Sequence, residues 1–147
     1  MAKVSGTEIR TDDLEGLERG TVKRIVMAGA DACVEETRRN IEEYHHIGKT
    51  GSMRENVRAG QYREWMGGGA VDVYPQGDDS RGVSNAVKAF VIDRGIGRRP
   101  NTARSHGKAR NKTGDHFLTR KTAKKTEEIV VRAMEAEYDR IIEENNK

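Results

Sequence analysis

Between residues 94 and 125 the chain carries eleven lysines and arginines (Arg94, Arg98, Arg99, Arg104, Lys108, Arg110, Lys112, Arg120, Lys121, Lys124 and Lys125) against a single acid, Asp115. The middle of this stretch, residues 95–114, holds one large apolar side chain, Ile96, so burial cannot offset the entropy of ordering it. Any core must therefore come from the flanks. The stretch itself is expected to be a mobile basic loop over residues 95–115 that meets a partner, because a long structureless insert in a compact domain is usually a functional one.

A chain of 147 residues suits one domain spanning residues 1–147, since roughly 100 to 200 residues close around a single core. Hydrophobic residues make up 34% and charged residues 35%, a lean and wet balance in which much of the surface is ionic. The net charge of +3 conceals an asymmetry, because residues 126–147 hold seven acids and three bases directly after the basic stretch. Opposite charges on successive segments could meet on neighbouring copies of the chain. Cys33 is the single cysteine, which rules out an intrachain disulfide and points to a reducing compartment such as a cytosol. No apolar run approaches the roughly 20 residues needed to span a bilayer, and the N-terminus lacks the apolar centre of a signal peptide, so a soluble chain without a membrane partner is expected.

Periodicity supplies the elements. Residues 1–10 read as a loose arm and residues 12–18 as a short helical turn that brings Leu14 and Leu17 together. From about Thr21 to His46, Val22, Ile25, Val26, Gly29, Ala30, Cys33, Val34, Thr37, Ile41 and Tyr44 recur three and four apart, which predicts an amphipathic helix. Thr21 can cap it, Gly48 can end it, and Lys23, Arg24, Asp31, Glu35, Glu36, Arg38, Arg39, Glu42 and Glu43 form its wet face. At roughly 38 Å such a helix is as long as the whole domain is wide. The period then changes to two: Val57, Ala59 and Trp65 share one face of a strand, and Val71 and Val73 share one face of the next. Gly67, Gly68 and Gly69 lie between, giving a β-hairpin with a flexible tip. In this reading Trp65 joins Val71 and Val73 in the core and Tyr62 faces solvent. Residues 75–82 form a polar loop. The apolar run of residues 86–92 is too short to separate a buried strand from a two-turn helix capped by Asn85. A last helix, from about Leu118 to Glu144, places a dry stripe on Val130, Ala133, Met134 and Ile141. The fold class is therefore α+β, with two long helices packed against a small antiparallel sheet and the basic loop before the C-terminal helix.

Catalytic chemistry finds little support in these residues. His45 and His46 are neighbours on a helix, about 100° apart, and cannot share a metal as an i, i+4 pair does. His106, Asn111 and His116 are the residue types of a small His-Asn-His nuclease, but their spacing does not fit a strand-turn-helix metal cradle and Asp115 is the lone acid nearby. Gly67, Gly68 and Gly69 precede a strand, not a helix N-terminus, and so cannot cradle a phosphate with aligned amides. Asp78 and Asp79 read as solvated loop acids. No cofactor, metal or catalytic residue is expected. The basic loop remains, with Arg94, Arg98, Arg99, Arg104, Lys108, Arg110 and Lys112 as contact residues for a sister subunit or for nucleic acid. Lacking Phe, Tyr or Trp between Arg94 and His116, it offers no stacking platform, so any contact with DNA would be electrostatic and blind to sequence.

Three short motifs occur in order: Thr50-Gly51-Ser52-Met53-Arg54 leading to Val57, Ala89-Phe90-Val91-Ile92-Asp93-Arg94-Gly95, and Phe117-Leu118. Together with the order of elements over residues 21–145 they resemble a family of small tail-component proteins of long-tailed bacteriophages, the neck or tail-completion proteins of the head-to-tail junction. Lys49 and His116 stand where that family usually has proline. The resemblance implies a homo-oligomeric ring between the portal-proximal connector and the tail-tube or tail-terminator proteins, found in the virion and in the host cytoplasm during assembly, with no enzymatic activity. The alternative is a sequence-nonspecific DNA-binding accessory protein that grips phosphates with the basic loop.

Overall fold

A computed structural model describes residues 2–5, 8–11, 16–44, 51–94 and 123–147 of the chain. Strands β1 (Ala2–Ser5) and β2 (Glu8–Thr11) come first, followed by helix α1 (Arg19–Tyr44) and the single turn α2 (Ser52–Glu55). Strands β3 (Val57–Ala59), β4 (Arg63–Trp65) and β5 (Gly68–Pro75), then helices α3 (Asn85–Arg94) and α4 (Ala123–Asn145), complete the order. The class is α+β with an antiparallel sheet. The basic loop, residues 95–115, lies outside the described residues.

The sheet runs β1-β2-β5-β3, with β4 also paired to β5 beside β3. Residues 2–5 and 8–11 are thus paired strands where a loose arm was expected. Ile9 pairs with Val71 and is fully buried, and this one side chain gives β2 a reason to join the sheet. Cross-strand partners share a face, so Ile9, Val57, Ala59, Val71 and Val73 form the inner layer, on which α1 packs.

Strands β3 and β4 are one hairpin arm interrupted by a bulge. Ala59 pairs with Val73 and Arg63 with Ala70, so residues 60–62 oppose only residues 71–72. One extra residue exchanges the faces of everything beyond it. Trp65 consequently pairs with Gly68 on the outer face and is 38% exposed, whereas Tyr62 turns inward against the core. This reverses the roles expected from strict alternation. The inward ring lies on Gly69, where a Cβ would come within 2.3 Å of Tyr62 Cε2. Glycine is required there by close approach, and Gly68 and Gly69 are buried strand residues, not a flexible tip. The turn itself is Met66-Gly67, with φ of 38° and 75°, the two left-handed residues of a type I′ hairpin.

Helix α1 begins two residues before Thr21, with the Val22 amide bonding to the Glu18 carbonyl at 3.0 Å. His45, His46 and Gly48 lie outside the described residues, as do Leu14 and Leu118. Its expected stripe is buried at Val22, Ile25, Val26, Ala30, Cys33, Val34, Thr37 and Ile41. Helix α4 packs along α1 and touches β1, burying Thr126, Val130, Met134 and Ile141. The two helices meet closely at Gly29, where a Cβ would stand 2.7 Å from Met134 Cγ.

The run of residues 86–92 is helical, and Asn85 is not its cap. Ser84 Oγ accepts the Val87 amide at 3.4 Å, while the fully buried Asn85 side chain donates to the Gln76 carbonyl at 2.9 Å. Asn85 thereby ties α3 to the end of β5.

Candidate functional site

Of the seven expected contact residues, Arg94 closes α3, and Arg98, Arg99, Arg104, Lys108, Arg110 and Lys112 lie outside the described residues. The same holds for His106, Asn111, Asp115, His116 and the Phe117-Leu118 pair. The structure therefore defines the two anchorages of the basic stretch: the end of α3 and the start of α4.

The α3 anchorage is rigid for chemical reasons. The loop that leads into it carries Gly77 and Gly82 at positive φ and closes on an Asp78–Ser84 bridge. Asp79 is its hub: one carboxylate oxygen accepts the amides of Arg81 and Val83 at 2.9 Å each, and the other takes the Lys88 ammonium of α3. The Lys88 contact, with the Val83 and Arg81 amides behind it, holds the Asp79 carboxyl down to about 2. A carboxylate so fully occupied is no metal ligand. Ala89 and Asp93 are buried on the inner side of α3, whereas its Val87, Phe90 and Val91 are 57%, 40% and 37% exposed, as is Val83 of the preceding loop at 44%.

The α4 anchorage is an ion pair that helical periodicity misplaced. Glu36, read as part of the wet face of α1, is 1% exposed because α4 crosses it. Its carboxylate oxygens sit 3.0 Å from Lys125 Nζ and 3.0 Å from Arg39 Nη1. A buried carboxylate needs such partners, so Lys125, counted among the free bases of the sequence, is committed within the chain. At the other end of α4, Arg24 binds Glu137 at 2.8 Å and Glu144 at 2.9 Å, and so holds the Glu144 carboxyl below its ordinary value. Glu127, Glu128, Glu135, Asp139 and Glu143 stay exposed and, among the described residues, unpaired.

The outer face of the sheet is a closed ionic net. Arg63 bonds to Asp72 at 2.7 Å and Glu8 at 3.1 Å, Arg10 bonds to Glu8 at 2.7 Å, and the Arg10 guanidinium lies 4.7 Å from the Trp65 ring centre. These groups satisfy one another, which marks a stabilised solvent face. An open cleft of about 470 Å³ lies between the hairpin turn and the start of α1, lined by Leu17, Val22, Tyr62, Trp65 and Met66. Arg19 and Glu64, 3.6 Å apart, are its charged residues and neutralise each other. Cys33 lies within the core, where burial pushes its thiol up to about 11, so it is a packing residue and not a nucleophile.

Among the described residues no three His, Cys, Asp or Glu converge as metal ligands, and no helix is long and apolar enough to cross a membrane. No family model, curated protein or solved structure matches the chain.

Proposed function

We propose that the chain is a structural subunit of the head-to-tail junction of a long-tailed bacteriophage, a neck or tail-completion component that assembles into a ring in the virion. The observation that carries this reading is a braced α+β platform that leaves apolar side chains of α3 and α4 in solvent, on either side of a sequence stretch rich in bases and poor in acids. Such a subunit is completed by its neighbours. The motifs of the resemblance have local physical roles that support it. Gly51, at φ 64°, makes the left-handed entry to α2, which buries Met53 at 8% exposure and delivers Val57 to the sheet fully buried. The apolar run of the second motif is α3, whose Ala89 and Asp93 are buried.

The mechanism is docking. Arg94, Arg98, Arg99, Arg104, Lys108, Arg110 and Lys112 supply an adaptable contact, and the portal-proximal connector and the tail-tube or tail-terminator proteins are the expected partners. Changing Arg98, Arg99 and Arg104 together to Glu is expected to leave the melting profile of the purified chain unchanged and to block particle completion. Normal yields of infectious particles from that triple mutant would reject the docking role.

The excess of bases over residues 94–125 favours one second reading, a DNA-binding accessory protein. A mobility-shift titration at two salt concentrations separates the two. Steeply salt-dependent duplex binding by the monomer supports DNA binding, and no binding at moderate salt supports assembly.

A further inference from the structure

The two long helices are secured unequally. Helix α1 packs on β2, β3, β5 and α2 as well as on α4, so it stays braced with α4 removed. Helix α4 packs mainly on α1 and β1, and over its 23 residues it buries Thr126, Val130, Met134 and Ile141. Helix α3, which precedes it in the chain, packs on β5 and α2 instead. Nearly everything that holds α4 therefore lies in one seam with α1.

The floor of that seam is a ridge of α1 on which Gly29, Cys33, Glu36 and Asn40 follow three and four apart. Gly29 receives Met134 and Val130, which a Cβ there would meet at 2.7 and 3.1 Å, and Glu36 holds Lys125 at 3.0 Å. Cys33, fully buried, stands between these two grips. The seam also hides polar groups. Glu36 and Thr126 are buried along it, and Asn40, 2% exposed, leaves its Oδ1 without a hydrogen-bond partner. Uncovering the ridge hydrates these groups, which offsets part of the apolar burial that opening loses. At the far end the grip is ionic, Arg24 with Glu137 and Glu144, and pairs around so exposed a guanidinium add little.

We infer that α4 is a releasable strap: it detaches from α1 as a unit while the sheet, α1, α2 and α3 stay folded, and its release uncovers Cys33. Domains open in such cooperative units, and the unit with the fewest buried contacts opens first. Release is independent of the ring reading.

The single cysteine reports on it. Alkylation of Cys33 in the full chain by iodoacetamide, a reagent slow enough for the rate to follow the open population, is expected to rise with urea far less steeply than global unfolding followed by circular dichroism. Met134→Ala empties the contact on Gly29 and is expected to raise the alkylation rate about 100-fold. Arg24→Ala, with a rise of about fivefold, replaces it if that chain does not fold. Asp79→Asn loosens the α3 anchorage, away from the strap, and is expected to lower global stability while leaving the alkylation rate unchanged.

Three results overturn the inference. A urea dependence as steep as that of global unfolding shows that Cys33 is reached only when the whole chain unfolds. An alkylation rate that rises for Asp79→Asn in step with its lost stability shows the same. A folded strap variant that is alkylated at the wild-type rate shows that α4 does not guard Cys33.

Discussion

Substituting Gly69 by alanine probes the exchange of faces in the hairpin, because it asks whether the Tyr62 ring lies where the bulge puts it. A Cβ at position 69 would stand 2.3 Å from Tyr62 Cε2, 2.7 Å from its hydroxyl oxygen and 2.8 Å from Cζ. An aromatic ring cannot yield at one atom, so the whole side chain must swing away from the strand. Alanine in place of glycine in a strand interior gains about 0.5–1 kcal/mol by restricting the unfolded chain. Overpacking costs about 1–3 kcal/mol, so the net effect is a loss of about 1–2 kcal/mol. In a Tyr62→Ala background the obstruction is gone, and the same substitution is expected to stabilise by about 0.5–1 kcal/mol. The sign reverses, which gives a coupling energy of about 2 kcal/mol in a double-mutant cycle. Urea denaturation of the four chains, with unchanged m-values as the check on the unfolded state, measures each term. A gain in both backgrounds, or a coupling below about 0.5 kcal/mol, would show that Tyr62 does not cover Gly69 and that the faces are not exchanged.

The hairpin turn and the α3 anchorage yield two more expectations. Met66 holds φ at 38° and is 76% exposed, so Met66→Asn relieves a left-handed strain without losing packing; a gain of about 0.5–1 kcal/mol in urea denaturation is expected, and no gain would refute the type I′ turn. Asp79 has a folded-state value of about 2, below its ordinary one, so its contribution is complete above that ordinary value and disappears as pH falls through about 2. Asp79→Asn is therefore expected to be less stable than the wild type at neutral pH and to lose less on acidification. Parallel melting curves of the two chains along the acid limb would count against the Lys88 contact.

Much of this fold can be read from spacing, and the misses have physical causes. The stripes of α1 and α4 are long enough for a period of 3.6 to declare itself, and Gly29 opposite Met134 shows why a glycine sits in the first of them. The hairpin was also legible, from a period of two on both sides of a glycine cluster. Its bulge was not, because alternation carries no mark of an inserted residue, and that single residue exchanged Trp65 for Tyr62 in the core. Among the described side chains of the N-terminal strands Ile9 is the fully buried one, too little for any period, although Gly6 between Val4 and Ile9 in the sequence is a turn signal that could have revealed them. Residues 86–92 were ambiguous because α3 is apolar on both sides, one side for the core and one for solvent.

Charge was the least legible quantity, and it decides how the surface can act. Counting residues makes Lys125 a free base and makes Glu36, Glu137 and Glu144 free acids, yet these four are committed to ion pairs that hold α1 to α4. What α4 can offer a neighbour is therefore not its whole acidic run but the exposed Glu127, Glu128, Glu135, Asp139 and Glu143. Exposed ion pairs add only about 0–1 kcal/mol each, so a contact built from charge alone would be weak and would weaken further with salt. An apolar centre with a charged rim has the opposite character. Burial supplies the affinity, the rim fixes which surface may approach, and salt then alters the rate of association more than its strength.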